Sequence, residues 1–165
     1  MAVIDHNDIV AFVHHETHLL NEARYEEWLG LLSDDFDYRL PQPQVRDDPR
    51  VRPYSDVSLL AWESVHSLRL RFERIQSDYA WADRPPAFQR RHLTAVRVAP
   101  GDAEQEWSVA ADELVARSRV PEGSHVVSAL REDVVRVEDG QLRLARRTVY
   151  VDLNRPELAQ ISLLF

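Results

Sequence analysis

Seven His and 28 acidic residues are the side chains of this 165-residue chain with the chemistry to move protons or hold a metal. The densest group is His14-His15-Glu16-Thr17-His18. His14 and His18 stand four apart, on one face of a helix, a spacing that suits two metal ligands. The run is not H-E-x-x-H, because only two residues separate His15 from His18. A third ligand would have to come from elsewhere, and the plain reading is the polar face of an amphipathic helix. An iron facial triad needs two His, a carboxylate and open positions, and nothing in the chain singles out such a set. His92 lies in a strand-like run, Arg90-Arg91-His92-Leu93-Thr94. Alternate side chains there turn toward a covered face, where an imidazole can titrate near neutrality or serve as a hydrogen-bonded structural group.

Other chemistries are excluded outright. Without Cys there is no disulfide, Cys-ligated zinc, Rieske cluster or thiol nucleophile. The four glycines, Gly30, Gly101, Gly123 and Gly140, are too scattered for a GxGxxG turn or a phosphate-cradling loop. No G-x-S-x-G elbow is present.

The elements that must position these residues fall into two halves. Asp5 or Asn7 can cap a helix whose apolar residues Ile9, Phe12, Val13, Leu19 and Leu20 recur at helical spacing. A break over Asn21–Arg24 precedes a second helix with Tyr25, Trp28, Leu29 and Leu32. Phe36, Tyr38 and Leu40 alternate with Asp37 and Arg39 in a short strand ending at Pro41. Residues 41–56 hold four prolines and are expected to form a long irregular loop. A further helix is expected over about Leu59 to Gln76, with Leu60, Val65, Leu68, Phe72 and Ile75 on one face and Arg69 and Glu73 as an i,i+4 pair. The remainder is β: runs at about Gln89–Val98, Glu104–Ser118, His125–Val137 and Gln141–Asp152. They are joined by turns at Pro100-Gly101-Asp102, Pro121-Glu122-Gly123-Ser124 and Asp139-Gly140. Three hairpins in series make an antiparallel meander, and helices followed by a meander make an α+β fold with N-terminal helices packed on a curved antiparallel sheet. The apolar ending ISLLF is expected to dock.

The formal net charge is −8, and all 20 cations are Arg. That balance argues against nucleic acid and against an anionic membrane surface as partners. No basic n-region followed by an apolar run opens the chain, and no stretch approaches about 18 apolar residues. A single cytoplasmic domain over residues 1–165 is the expectation.

Three stretches together resemble the small (β) subunit of aromatic-ring-hydroxylating dioxygenases. The first is Leu19-Leu20-Asn21-Glu22-Ala23-Arg24-Tyr25-Glu26-Glu27-Trp28-Leu29, with Leu32, Asp34-Asp35, Tyr38 and Pro41. The second is Leu68-Arg69-Leu70-Arg71-Phe72-Glu73-Arg74-Ile75, then Ala80-Trp81-Ala82-Asp83-Arg84-Pro85-Pro86 and Arg90-Arg91-His92-Leu93. The third runs from Arg146-Arg147-Thr148-Val149-Tyr150-Val151-Asp152 to Ser162-Leu163-Leu164-Phe165. The L-R-x-E-R followed by A-W-x-x-x-P-P is the most specific of these features.

The resemblance implies a cone-shaped fold of the nuclear transport factor 2-like type. It also implies a role in aromatic hydrocarbon catabolism as a structural partner of a catalytic α subunit, with the β subunits forming a trimer inside a hexamer of three α and three β. The Rieske cluster and mononuclear iron then belong to the α subunit, and this chain carries no cofactor or metal. The family usually reads R-H-L-V-S-N-V where this chain has Arg91-His92-Leu93-Thr94-Ala95-Val96, one residue short, so either His92 or Arg91 takes the family's His position. The same fold hosts free-standing dehydratases, isomerases and polyketide cyclases. Leu40 stands where isomerase-like relatives place their Asp, so the enzymatic alternative rests on His92 as acid–base group with Tyr25 or Tyr38. A binding module with an apolar ligand in the cone is a third reading. Trp28, Phe36, Tyr38, Leu40 and His92 are the candidate pocket-lining residues. The interior is expected to be largely apolar, with one phenol, no carboxylate and His92 pointing inward.

Overall fold

The computed structural model describes residues 4–76, 87–120 and 123–153. Asp5 caps α1 (His6–Asn21): its carboxylate accepts from the backbone of Asn7 at 2.7 Å and Asp8 at 3.0 Å. The Asp8 carboxylate accepts in return from the Asp5 backbone at 2.9 Å, closing a capping box. Ile9, Phe12, Val13, Leu19 and Leu20 form the buried face, as their spacing requires. The chain breaks at Glu22–Arg24, where Ala23 adopts a φ of 53°. It then makes one short turn of helix, α2 (Tyr25–Leu29), that buries Trp28 and Leu29.

Among the described residues the strands are β1 (Leu32–Pro43), β2 (Tyr54–Ser64), β3 (Phe88–Pro100), β4 (Glu106–Arg119), β5 (Gly123–Glu138) and β6 (Gln141–Val151). Helix α3 (Val65–Gln76) lies between β2 and β3. One open sheet has the order β2-β1-β6-β5-β4-β3. All neighbours are antiparallel except β1 and β6, which run parallel. The expected meander is therefore β3 to β6. At its last hairpin Asp139 and Gly140 both have positive φ, 50° and 77°, as a two-residue turn with the strands' own twist demands. The turn expected at 121–124 falls partly, and the docked C-terminal tail and the A-W-x-x-x-P-P run fall wholly, outside the described residues.

Three expectations are corrected. The helix starts at Val65 and not near Leu59: residues 54–64 are strand β2, paired to β1 with Asp37 opposite Ser64 and Leu40 opposite Ala61. Partner pairing overrides the helix-like spacing of Leu60 and Val65. The irregular stretch is correspondingly shorter, since β1 continues to Pro43 and the connection covers only 44–53. Prolines are tolerated at the end of β1 because the register shifts there, between Leu40 and Pro41 and again before Pro43. Nor does Arg69 meet Glu73 as its salt partner; it reaches Glu26 of α2 at 3.3 Å.

The core sits between the helices and the concave face of the sheet. Phe36, Tyr38 and Leu40 all point into it from β1. The Trp28 ring meets Phe36 and Phe72 edge-on, with centroids 6.3 and 6.0 Å away. Tyr25 stacks on Phe72 at 4.3 Å.

Candidate functional site

The interior is not the apolar space its strand pattern suggests. Five charged side chains meet in it, brought together by four elements. Glu16 comes from the buried face of α1, Glu113 from β4, Arg131 and Asp133 from β5 and Arg147 from β6, and all are buried. The β strands place them inward by strict alternation with core residues: Val127, Ala129, Arg131, Asp133 and Val135 share one face of β5.

The geometry is that of a closed network. Arg147 donates to Asp133 through Nε at 2.8 Å and Nη2 at 2.9 Å, and to Glu16 through Nη2 at 2.9 Å and Nη1 at 3.3 Å. Arg131 pairs with the same two carboxylates, Glu16 at 2.7 Å and Asp133 at 3.0 Å. The Trp28 indole donates to Glu16 at 2.8 Å. Burial pushes Glu16 toward its neutral form. Arg131 and Arg147 outweigh that, helped by the hydrogen bonds from Arg147 and Trp28, and hold its pKa down at about 2. Arg147 is likewise kept charged: burial opposes its charge, and Asp133 and Glu16 overcome it. Glu113 is the weak member. It faces Arg131 Nη1 at 3.5 Å, neither oxygen has a hydrogen bond, and burial raises its pKa despite Arg131.

His92 is on the opposite side. It is exposed, while its neighbour Arg91 is buried. The reason is a β-bulge. The β3–β4 register slips between Thr94 and Arg97, and Ala95 takes a φ of 49°. Val96 and Val98 pack on the core, as does Leu93, so the inward phase changes from odd to even positions across the bulge. Counting in twos from Val98 reaches His92; the bulge gives that direction to Arg91. Burial lowers the Arg91 pKa, against the pull of Glu113. Arg91 is also tied to α1, its backbone N donating to Asn21 Oδ1 at 2.7 Å and its carbonyl accepting from Asn21 Nδ2 at 3.0 Å.

The candidate acid–base residues are therefore not brought together. Tyr38 is buried in the core, and Tyr25 lines a cleft of about 170 Å³ between the helices and the β3–β4 pair. Neither Tyr38 nor His92 belongs to the described lining of that cleft. Trp28, Phe36 and Leu40 are buried core residues. His14 and His18 are exposed on α1. Among the described residues no three His, Asp or Glu side chains stand together as a metal would require. Without Cys, the chain lacks the thiolates of a Rieske cluster as well. Neither group fits the donors present among the described residues. No helix of the described residues is long and apolar enough to cross a membrane.

Sequence reasoning missed the network. A signal existed: Arg131 and Asp133 occupy the apolar phase of β5, and Glu16 the apolar face of α1.

Comparison with known proteins places these features. The family model described as "Ring hydroxylating beta subunit" matches residues 15–155. The chain is similar to the β subunit of benzene 1,2-dioxygenase from Pseudomonas putida, 27% identical over 152 residues covering 88% of this chain and 81% of that one. Its fold matches a chain of naphthalene 1,2-dioxygenase solved with indole in the active site, at a TM-score of 0.81 and 20% identity, over 97% of this chain and 86% of that one. It also matches the β subunit of benzoate 1,2-dioxygenase from Burkholderia mallei, at a TM-score of 0.73 and 18% identity, over 92% and 93% of the two chains.

Proposed function

The chain belongs to the ring-hydroxylating β-subunit family, and from that premise we propose that it seats a catalytic α subunit in the cytoplasm and carries no chemistry itself. The observation that supports this reading is the separation of its candidate acid–base groups. His92 is outside the sheet, Tyr38 is in the core and Tyr25 is at the cleft. General acid–base catalysis needs its groups within hydrogen-bond reach of one substrate, which this placement does not provide. The carboxylates inside face guanidinium groups of the same chain, which suits a rigid scaffold.

In this reading three copies form a homotrimer that joins three α subunits, and the Rieske cluster and mononuclear iron are held by α. Exposed apolar side chains supply contact surface on both outer strands and the 44–53 connection, Val45, Val57, Trp62 and Phe88, and on β5, Val126. The test is to purify the chain alone and together with a Rieske-type α subunit. The chain alone should scatter light as a trimer of about 58 kDa, three times 19.2 kDa, and co-expression should yield one complex with all iron on the α chain. A chain that neither self-associates nor co-purifies would overturn the reading. So would a lone chain that dehydrates or cyclises a polyketide-like substrate and loses this activity in His92→Ala.

A further inference from the structure

A rigid apolar knob stands on β2, one end strand of the open sheet. Trp62 is 71% exposed, yet its ring is fixed in place. The indole Nε1 donates to Asp37 Oδ1 at 2.7 Å, and Asp37 Oδ2 is held in turn by Arg39 Nε at 2.7 Å. Arg39 stands opposite Trp62 in the β1–β2 ladder, so the three side chains share the outer face of the sheet. A ring already held in one orientation loses little conformational freedom on contact, and Trp and Arg are enriched among the side chains that carry binding energy. Val57, 91% exposed, and Leu59 extend the apolar surface along the same strand.

A groove of about 400 Å³ lies at the far end of the same sheet. Its outward-facing lining is Phe88 and Arg90 from β3, Ala116 and Ser118 from β4, and Ser124 and Val126 from β5. The register puts them on one face: Phe88 lies opposite Ser118 and Ser118 opposite Ser124, while Ala116 lies between Arg90 and Val126. Ser124 Oγ donates to Ser118 Oγ at 3.0 Å, so the two hydroxyls pair with each other. Phe88 and Val126, 83% and 66% exposed, are the apolar walls. The space suffices for an indole, since drug-sized ligands occupy roughly 300–1,000 Å³. Exposed apolar surface rimmed by polar groups marks a contact.

Charge follows the same division. Strand β2 carries Asp56 and Glu63 and no Arg, whereas β3 carries Arg90 and Arg97 besides buried Arg91, and no Asp or Glu. Asp56 adjoins Val57 and is exposed, with Arg46 at 3.5 Å; Arg90 lies in the groove and is exposed, with Glu22 at 3.4 Å. Such exposed ion pairs are weak, and a carboxylate and a guanidinium each keep capacity for a second partner. Knob and groove differ in shape and in sign, so each complements the other and not itself. A contact between unlike surfaces of identical chains is heterologous and builds a ring when its rotation closes, while a contact of like with like closes at two copies. Resting on the assembly reading above, we infer that Trp62 and Val57 of one copy seat in the Phe88–Val126 groove of the next, with Asp56 toward Arg90, and that three such contacts close the β-subunit ring.

The test measures the mass of the full chain in solution by analytical ultracentrifugation, with far-UV circular dichroism as the check on folding. Trp62→Ala removes the knob and leaves the groove; Val126→Arg fills the groove and leaves the knob. Each variant alone should fall from about 58 kDa to the single-chain 19.2 kDa. Mixed, the two should form a pair of about 38 kDa, two times 19.2 kDa, because one intact knob meets one intact groove and the ring cannot close. The mixture is measured at the highest soluble concentration, since an open pair holds by one contact where each chain of a ring holds by two. Should either variant lose its fold, Val57→Asp replaces the first and Phe88→Asp the second, both at exposed positions. Trimers that persist in folded variants, folded variants that do not pair when mixed, or a wild-type chain that stays single would each overturn the proposal. So would variants that remain trimeric but no longer co-purify with a Rieske-type α subunit, since these surfaces would then face α. Co-purification of the wild-type chain with α is read separately, so failure here leaves the assembly reading standing.

Discussion

Replacing Arg147 by Met should be among the most damaging single changes to this chain. Arg147 is wholly buried and donates three bonds of 2.8–2.9 Å and one of 3.3 Å to Asp133 and Glu16. Hydrogen bonds to charged groups contribute about 1.5–3 kcal/mol each. The gross loss is offset because a buried guanidinium no longer has to be desolvated. What remains is the penalty for leaving two buried carboxylates with Arg131 as their shared cation, and broken buried pairs cost about 3–5 kcal/mol. For a domain of this size each kcal/mol lowers the melting temperature by about 2–4 °C, so the variant should melt roughly 6–20 °C below wild type. Urea denaturation at neutral pH, with calorimetry for the melting point, measures this directly. The control is Arg24→Ala, which removes the exposed Arg24–Glu27 pair and should leave the melting temperature unchanged. A loss below about 1 kcal/mol for Arg147→Met would refute the reasoning, because the network would then not be what joins α1 to β5 and β6.

The same network sets the response to pH. Glu16 ionises at about 2 when folded against 4.5 as its ordinary value, so its contribution is complete above about pH 4.5 and is lost as the pH falls toward 2; Glu16→Gln should flatten that acid limb in a pH series of urea midpoints. Glu113 has the opposite sign, since burial raises its pKa. Its ionisation works against folding above about pH 4.5, so Glu113→Gln should gain stability at pH 8 and lose that gain at pH 4. Gly140 has a φ of 77° with no atom within 4 Å of an added Cβ, so Gly140→Val should cost about 1–2 kcal/mol from backbone strain alone, read from the urea midpoint. Because His92 is exposed, His92→Ala should leave the melting curve where it is.

Local chemistry made much of this fold legible. Asp5 with Asp8 marks the start of α1, the apolar spacing marks its buried face, and Asp139-Gly140 marks the last hairpin. The four long strands of the meander carry their own alternation. Strand β2 did not, because Leu59-Leu60-Ala61-Trp62 satisfies helix and strand periods alike and only pairing with β1 decides between them. The direction of His92 was illegible for a different reason. A bulge inserts one residue without changing composition, and every side chain on one side of it changes face. The network is the hardest case. Its members are up to 131 residues apart in the chain, and each alone reads as a solvated charge. Arg131 and Asp133 betray themselves only by standing between Ala129 and Val135 on an otherwise apolar face.

The measurement that bears most directly on the scaffold role is turnover per mononuclear iron in a complex assembled from an α subunit and this chain. It compares the wild-type chain with Tyr25→Phe/Tyr38→Phe/His92→Ala. A general acid–base group is worth about 10²–10⁴-fold in rate. The account predicts that the triple variant assembles fully and turns over within about twofold of wild type, because none of these groups touches the reacting atoms. A fall of about 10²-fold or more in a complex of unchanged mass and iron content would contradict it.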